Sequence, residues 1–88
     1  MNGYRIIDCD LHDLYEIWIL HRRRLLLNWV DEDGIARLEL LLPKDLETVP
    51  DGEFLVASDT YGARLRIRLD RILHARDPGS GEEFPIGA

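Results

Sequence analysis

Apolar residues recur at helical spacing in one early stretch and at strand spacing afterwards. Leu11, Leu14, Tyr15 and Trp18 fall within one arc of a helical wheel, which predicts a helix over about residues 10–21. Cys9, His12, Asp13 and Glu16 fall on the opposite arc. Asp10 is suited to cap the helix N-terminus, with Asp13 three residues on as in a capping box. The run His21-Arg22-Arg23-Arg24 follows the last turn, where positive charge suits the helix dipole.

From Arg24 the period becomes two. Leu25, Leu27 and Trp29 alternate with Leu26, Asn28 and Val30, which predicts a strand over 24–30 buried on at least one face. Asp31-Glu32-Asp33-Gly34 reads as a tight turn, because Gly after Asp supplies a positive φ. A second strand follows over 35–42, with Leu38, Leu40 and Leu42 on one face and Arg37 and Glu39 on the other. Pro43 ends its regular pairing or marks a bulge. Residues 44–52 read as a connection, with a strong turn signal at Pro50-Asp51-Gly52. Further strands are predicted over 53–58, 63–69 and 72–75. The fourth has the cleanest alternation, with Arg64, Arg66 and Arg68 outward and Leu65, Ile67 and Leu69 inward. Trp18 and Trp29 are expected in the core. Residues 76–88 are rich in Gly, Pro and Glu and read as a flexible C-terminal tail.

One helix and five short antiparallel strands predict a single mostly β domain over residues 1–75. The expected form is a small bent barrel, since near closure protects the edges of short strands. An 88-residue chain has one modest core and little room for a deep pocket. Its 17 acidic against 11 basic residues disfavour nucleic acid as the default ligand and favour a basic protein partner. The single Cys permits no internal disulfide, and a reducing compartment suits it. No apolar run approaches the roughly 20 residues of a membrane span, and the start Met-Asn-Gly-Tyr-Arg is unlike a signal peptide. A soluble cytoplasmic protein is expected.

Three constellations invite chemistry. Cys9 and His12 lie near acids, yet structural zinc requires about four ligands, so no metal and no cofactor is predicted. Ser58, Asp70 and His74 could be drawn as a triad, but no nucleophile elbow or Gly-rich oxyanion loop accompanies them, so no enzyme is predicted. Arg64, Arg66 and Arg68 form a basic stripe that could bind RNA, although regular aromatic stacking platforms are missing.

Ile7-Asp8-Cys9-Asp10, then Asp13 and Glu16, then a basic step into a Leu-rich strand, resembles the start of the Rof family of Rho-binding antiterminators. Lys44-Asp45-Leu46, Glu53-Phe54-Leu55-Val56 and Arg68-Leu69-Asp70-Arg71-Ile72 resemble its second half, so the resemblance covers about residues 4–75. It implies an Sm-like fold, with an N-terminal helix on a bent five-stranded antiparallel barrel. It also implies binding to the RNA-binding N-terminal region of the hexameric termination factor Rho, obstruction of Rho's primary RNA site, and inhibition of termination by a monomer. Contacts would centre on the helix, at Asp10, His12, Asp13 and Glu16, with help from the loop before the third strand, at Asp51. His12 stands where better-known members have a tyrosine. The alternative is an Sm-like RNA-binding module that uses the Arg64, Arg66 and Arg68 face.

Overall fold

The computed structural model describes residues 9–86, with the side chains of Cys9, Asp10, Leu11 and Pro85 outside that description. It is mostly β. Helix α1 spans Cys9–His21 and is followed by β1 (Leu25–Val30), β2 (Ala36–Val49), β3 (Gly52–Ser58), β4 (Arg64–Arg68), β5 (Ile72–Arg76) and β6 (Glu83–Pro85). A single 3-10 turn, Leu69–Arg71, joins β4 to β5. The strands form one antiparallel sheet in the order β4-β3-β2-β1-β5-β6.

The expected closed or nearly closed five-stranded barrel is therefore corrected to an open sheet of six strands, with β4 and β6 at its ends. The segment expected as a flexible tail supplies the sixth strand. β6 pairs with β5 through His74↔Pro85, Ala75↔Phe84 and Arg76↔Glu83. Its Phe84 ring meets Trp18 edge-on at 5.2 Å, and Ile86 joins the core. Gly and Pro in this segment build a turn rather than disorder. The Asp77 carboxylate accepts from the Gly79 and Ser80 N–H groups, and Gly81 N–H donates to Asp77 O, with φ +78° at Gly81.

β2 is the long element of the fold. At roughly 3.3 Å per residue, its 14 residues would span about 46 Å if straight. The molecule's longest extent is 35 Å, so the strand must bend. Its first half pairs with β1, as in Leu25↔Leu41, and its second half with β3, from Leu42↔Ser58 to Val49↔Gly52. The stretch expected as a connection after Pro43 is thus strand as far as Val49, and an irregularity between Pro43 and Asp45 accommodates the proline. That bulge shifts the parity of the strand. Pro43 and Leu46, three apart in sequence, lie opposite Ala57 and Leu55, two apart on β3.

The core is built from Leu25, Leu27 and Trp29 of β1, Leu41 of β2, Leu55 and Ala57 of β3, Ile67 of β4, Leu69 of the 3-10 turn, Ile72 and Ala75 of β5, and Tyr15 and Trp18 of the helix. The inward face of β2 carries Leu41, not the leucines of the alternating set, and Leu38 is 61% exposed. On β4 the predicted parity holds, with Ile67 buried and Arg64 and Arg66 exposed.

Two hairpin turns share one design. In Asp31-Glu32-Asp33-Gly34 the Asp31 carboxylate accepts from Asp33 N–H at 2.9 Å and Ile35 N–H at 3.0 Å, and Gly34 adopts φ +79°. Asp59 repeats this with Tyr61 and Ala63 N–H, each at 2.8 Å, and Gly62 adopts φ +85°. Arg37 Nε also reaches Asp31 at 2.8 Å, and this guanidinium, followed by the Ile35 and Asp33 N–H groups, holds the Asp31 carboxyl below its ordinary value of 3.8.

Candidate functional site: the solvent face of the N-terminal helix

Helix α1 is described over Cys9–His21, so Asp10, expected as its cap, lies within the helix. The Asp10 side chain is outside the described residues. Tyr15 is fully buried and Trp18 nearly so, their rings edge-to-face at 5.4 Å, and Leu14 and Ile19 pack at their flanks. This arc seats the helix against β2.

Contacts near both ends fix the helix in place. Towards its N-terminus, His12 Nε2 lies 2.7 Å from a Glu53 carboxylate oxygen at the start of β3. Towards its C-terminus, Trp18 meets Phe84 of β6. Beyond the helix, Arg23 pairs with Asp77 at 3.1 Å. His12 is thus tied to the sheet and only about one third exposed, a contact that the helical wheel does not reveal because its partner is 41 residues away.

Asp13 and Glu16 face solvent. They share that face with Ile17, 47% exposed, and Leu20, 76% exposed. At 100° per residue the four positions fall within an arc of about 100°, centred opposite Tyr15 and Trp18. The sequence reading took the acids and missed Ile17 and Leu20. The available signal was that Ile17 and Leu20 fall outside the arc of Leu11, Leu14, Tyr15 and Trp18.

Asp51 sits exposed in the turn between β2 and β3, two residues before Glu53. The His12–Glu53 pair therefore joins the helix to the strand that starts at this turn. Thr48 to Glu53 and Arg68 line a shallow groove of about 420 Å³ there. His12, Glu53 and the Asp51 turn form one region, with Asp13 and Glu16 on the adjoining helix face.

The basic stripe is largely engaged. Arg66 Nε lies 2.7 Å from Glu47 Oε1, and its guanidinium carbon lies 3.9 Å above the Phe54 ring. Arg68 Nε lies 2.9 Å from Asp70 Oδ1. These pairs engage two of the three arginines, and Arg66 covers the Phe54 ring. A wider cleft of about 560 Å³ beside β4 has a balanced charged lining, Arg37, Arg66, Arg68 and Arg71 against Asp31, Glu32, Asp33 and Glu39. The cleft lining is thus balanced, whereas the stripe, three arginines against Glu47 and Asp70, keeps an excess of one positive charge.

Two of the three triad candidates engage other partners. His74 Nε2 lies 3.0 Å from Glu83, and Asp70 engages Arg68. Among the described residues, no group of three or more His, Cys, Asp and Glu is placed to hold a metal ion, and no helix is long and apolar enough to cross a membrane. No protein-family model matches the chain, and no curated protein matches its sequence.

Proposed function

We propose that this chain is a non-enzymatic, cytoplasmic inhibitor of Rho-dependent transcription termination. It acts as a monomer with an Sm-like arrangement of helix and bent strands. Its helix docks on the RNA-binding N-terminal region of Rho and obstructs the primary RNA site. The reading starts from the resemblance to Rof proteins, and one observation carries it further: Asp13 and Glu16 stand exposed on the outer face of a helix whose other face is anchored in the core.

An RNA-binding cleft holds Lys and Arg donors arranged for phosphates. Two carboxylates one helical turn apart can occupy such donors through charge-assisted hydrogen bonds. The match accelerates encounter and weakens with salt. The His12–Glu53 pair supports the reading by limiting how far the helix can shift on the sheet, so less ordering is needed on binding. The Asp51 turn adds a carboxylate on the strand side of the same region. The shortness of β6, three residues that include Pro85, supports the monomer, because a short edge strand with a proline is a poor template for pairing between copies.

The test is competition between this protein and single-stranded RNA for hexameric Rho, followed by a termination assay. The expected result is RNA displacement by the natural protein and none by Asp13→Lys/Glu16→Lys. Unchanged displacement by that variant would sink the helix-docking reading. Direct RNA binding by the protein, abolished by Arg64→Ala/Arg66→Ala/Arg68→Ala and without affinity for Rho, would replace it with the RNA-module reading.

A further inference from the structure

Helix α1 is apolar on two opposite sides, and its own sheet covers only one. Tyr15 and Trp18 fill the inner side, and Ile17 and Leu20 stand exposed on the outer side. Single exposed apolar residues are ordinary on a protein surface. Here two of them stand three residues apart, adjacent on the helix surface and in line with Asp13 and Glu16. The outer face thus has an order along its length: carboxylates in the N-terminal half, then aliphatic side chains in the C-terminal half. From Asp13 to Leu20 the stripe is roughly 10 Å long.

We infer that Ile17 and Leu20 are buried anchors of the docking surface, and that the partner protein presents a basic patch with an apolar pocket about one helical turn beyond it. The inference rests on the Rho-binding reading and makes the partner's surface more specific. A purely electrostatic surface would be satisfied by any dense array of cations. Apolar anchors on one half of the stripe and charges on the other give the contact both the apolar and the polar part that protein interfaces combine. The charges then govern the rate of encounter, and the anchors govern how long the complex lasts. Neither anchor takes part in the hydrophobic core, so both can be changed without disturbing the fold.

The experiment measures binding of the full chain to hexameric Rho across a range of salt concentrations, with thermal unfolding run in parallel. Ile17→Ser/Leu20→Ser is expected to weaken binding at least tenfold through faster dissociation. Its dependence on salt and its melting temperature should match those of the natural protein. Asp13→Lys/Glu16→Lys should instead slow association and flatten the salt dependence. If the serine variant binds within twofold of the natural protein while the lysine variant fails, the anchors are refuted and acidic docking stands. If the natural protein does not bind Rho, both the reading and the anchors fall.

Discussion

Replacing Ile86 with alanine separates a C-terminal segment that is folded from one that is decorative. Ile86 is 8% exposed and belongs to the core cluster, and its N–H donates to Leu73 O at 2.9 Å. Fully burying an isoleucine side chain is worth about 1.5–3 kcal/mol, and truncating one to alanine in a core costs about 2–5 kcal/mol. Ile86 keeps 8% of its surface exposed, so the lower end applies, about 2 kcal/mol. For a domain of this size that is a fall in melting temperature of roughly 8–16 °C. Circular dichroism during heating and urea titration would measure it. Tryptophan fluorescence adds a local readout, because β6 also carries Phe84 against Trp18. A fall of less than about 2 °C, with unchanged fluorescence, would show that β6 does not hold the helix and would refute the packing argument.

Other outcomes follow from register and charge. Leu38→Lys should leave stability within about 0.5 kcal/mol, whereas Leu41→Ala should lose about 2–5 kcal/mol, and equal losses in urea titrations would refute the inward face assigned to β2. Asp31 has a native pKa below its ordinary value of 3.8, so its pairing stabilises the fold at higher pH and is lost as pH falls through the native value. Asp31→Asn should therefore be less stable than the natural protein at neutral pH, with the gap closing in the acid range, and a gap that stays constant across acid titration would refute the linkage.

The elements were legible where local pattern and structure agree. On β4, charged and apolar residues alternate without ambiguity, and Ile67 faces inward as that alternation requires. The two Asp-x-x-Gly turns were equally readable, since side-chain oxygen and positive φ act within five residues. β2 was not legible. Leu38, Leu40, Leu41 and Leu42 are apolar at both parities, so period two cannot choose a face. The choice is made by β1, whose Leu25 lies opposite Leu41, and by a bulge that keeps Pro43 within the strand. β6 escaped notice because three strand residues among Gly and Pro carry too little periodicity. At the site, the acidic face was readable from helical spacing. The His12 tether and the exposed pair Ile17 and Leu20 depended on which side of the helix the sheet occupies.

The strand order also decides which strand pairing the unfolded chain finds hardest to make. β1 to β4 form a meander, and each hairpin closes over a handful of residues. β5 must instead return past all of them to lie beside β1, where Trp29 meets Ile72, 43 positions away. Loop-closure entropy rises as the logarithm of length, so this seam carries about 2 kcal/mol more closure penalty than a five-residue turn. The sheet is thus easy to begin at its hairpins and hardest to complete at the β1–β5 seam. There β6, which follows β5, adds its own pairing and brings Phe84 to the ring of Trp18.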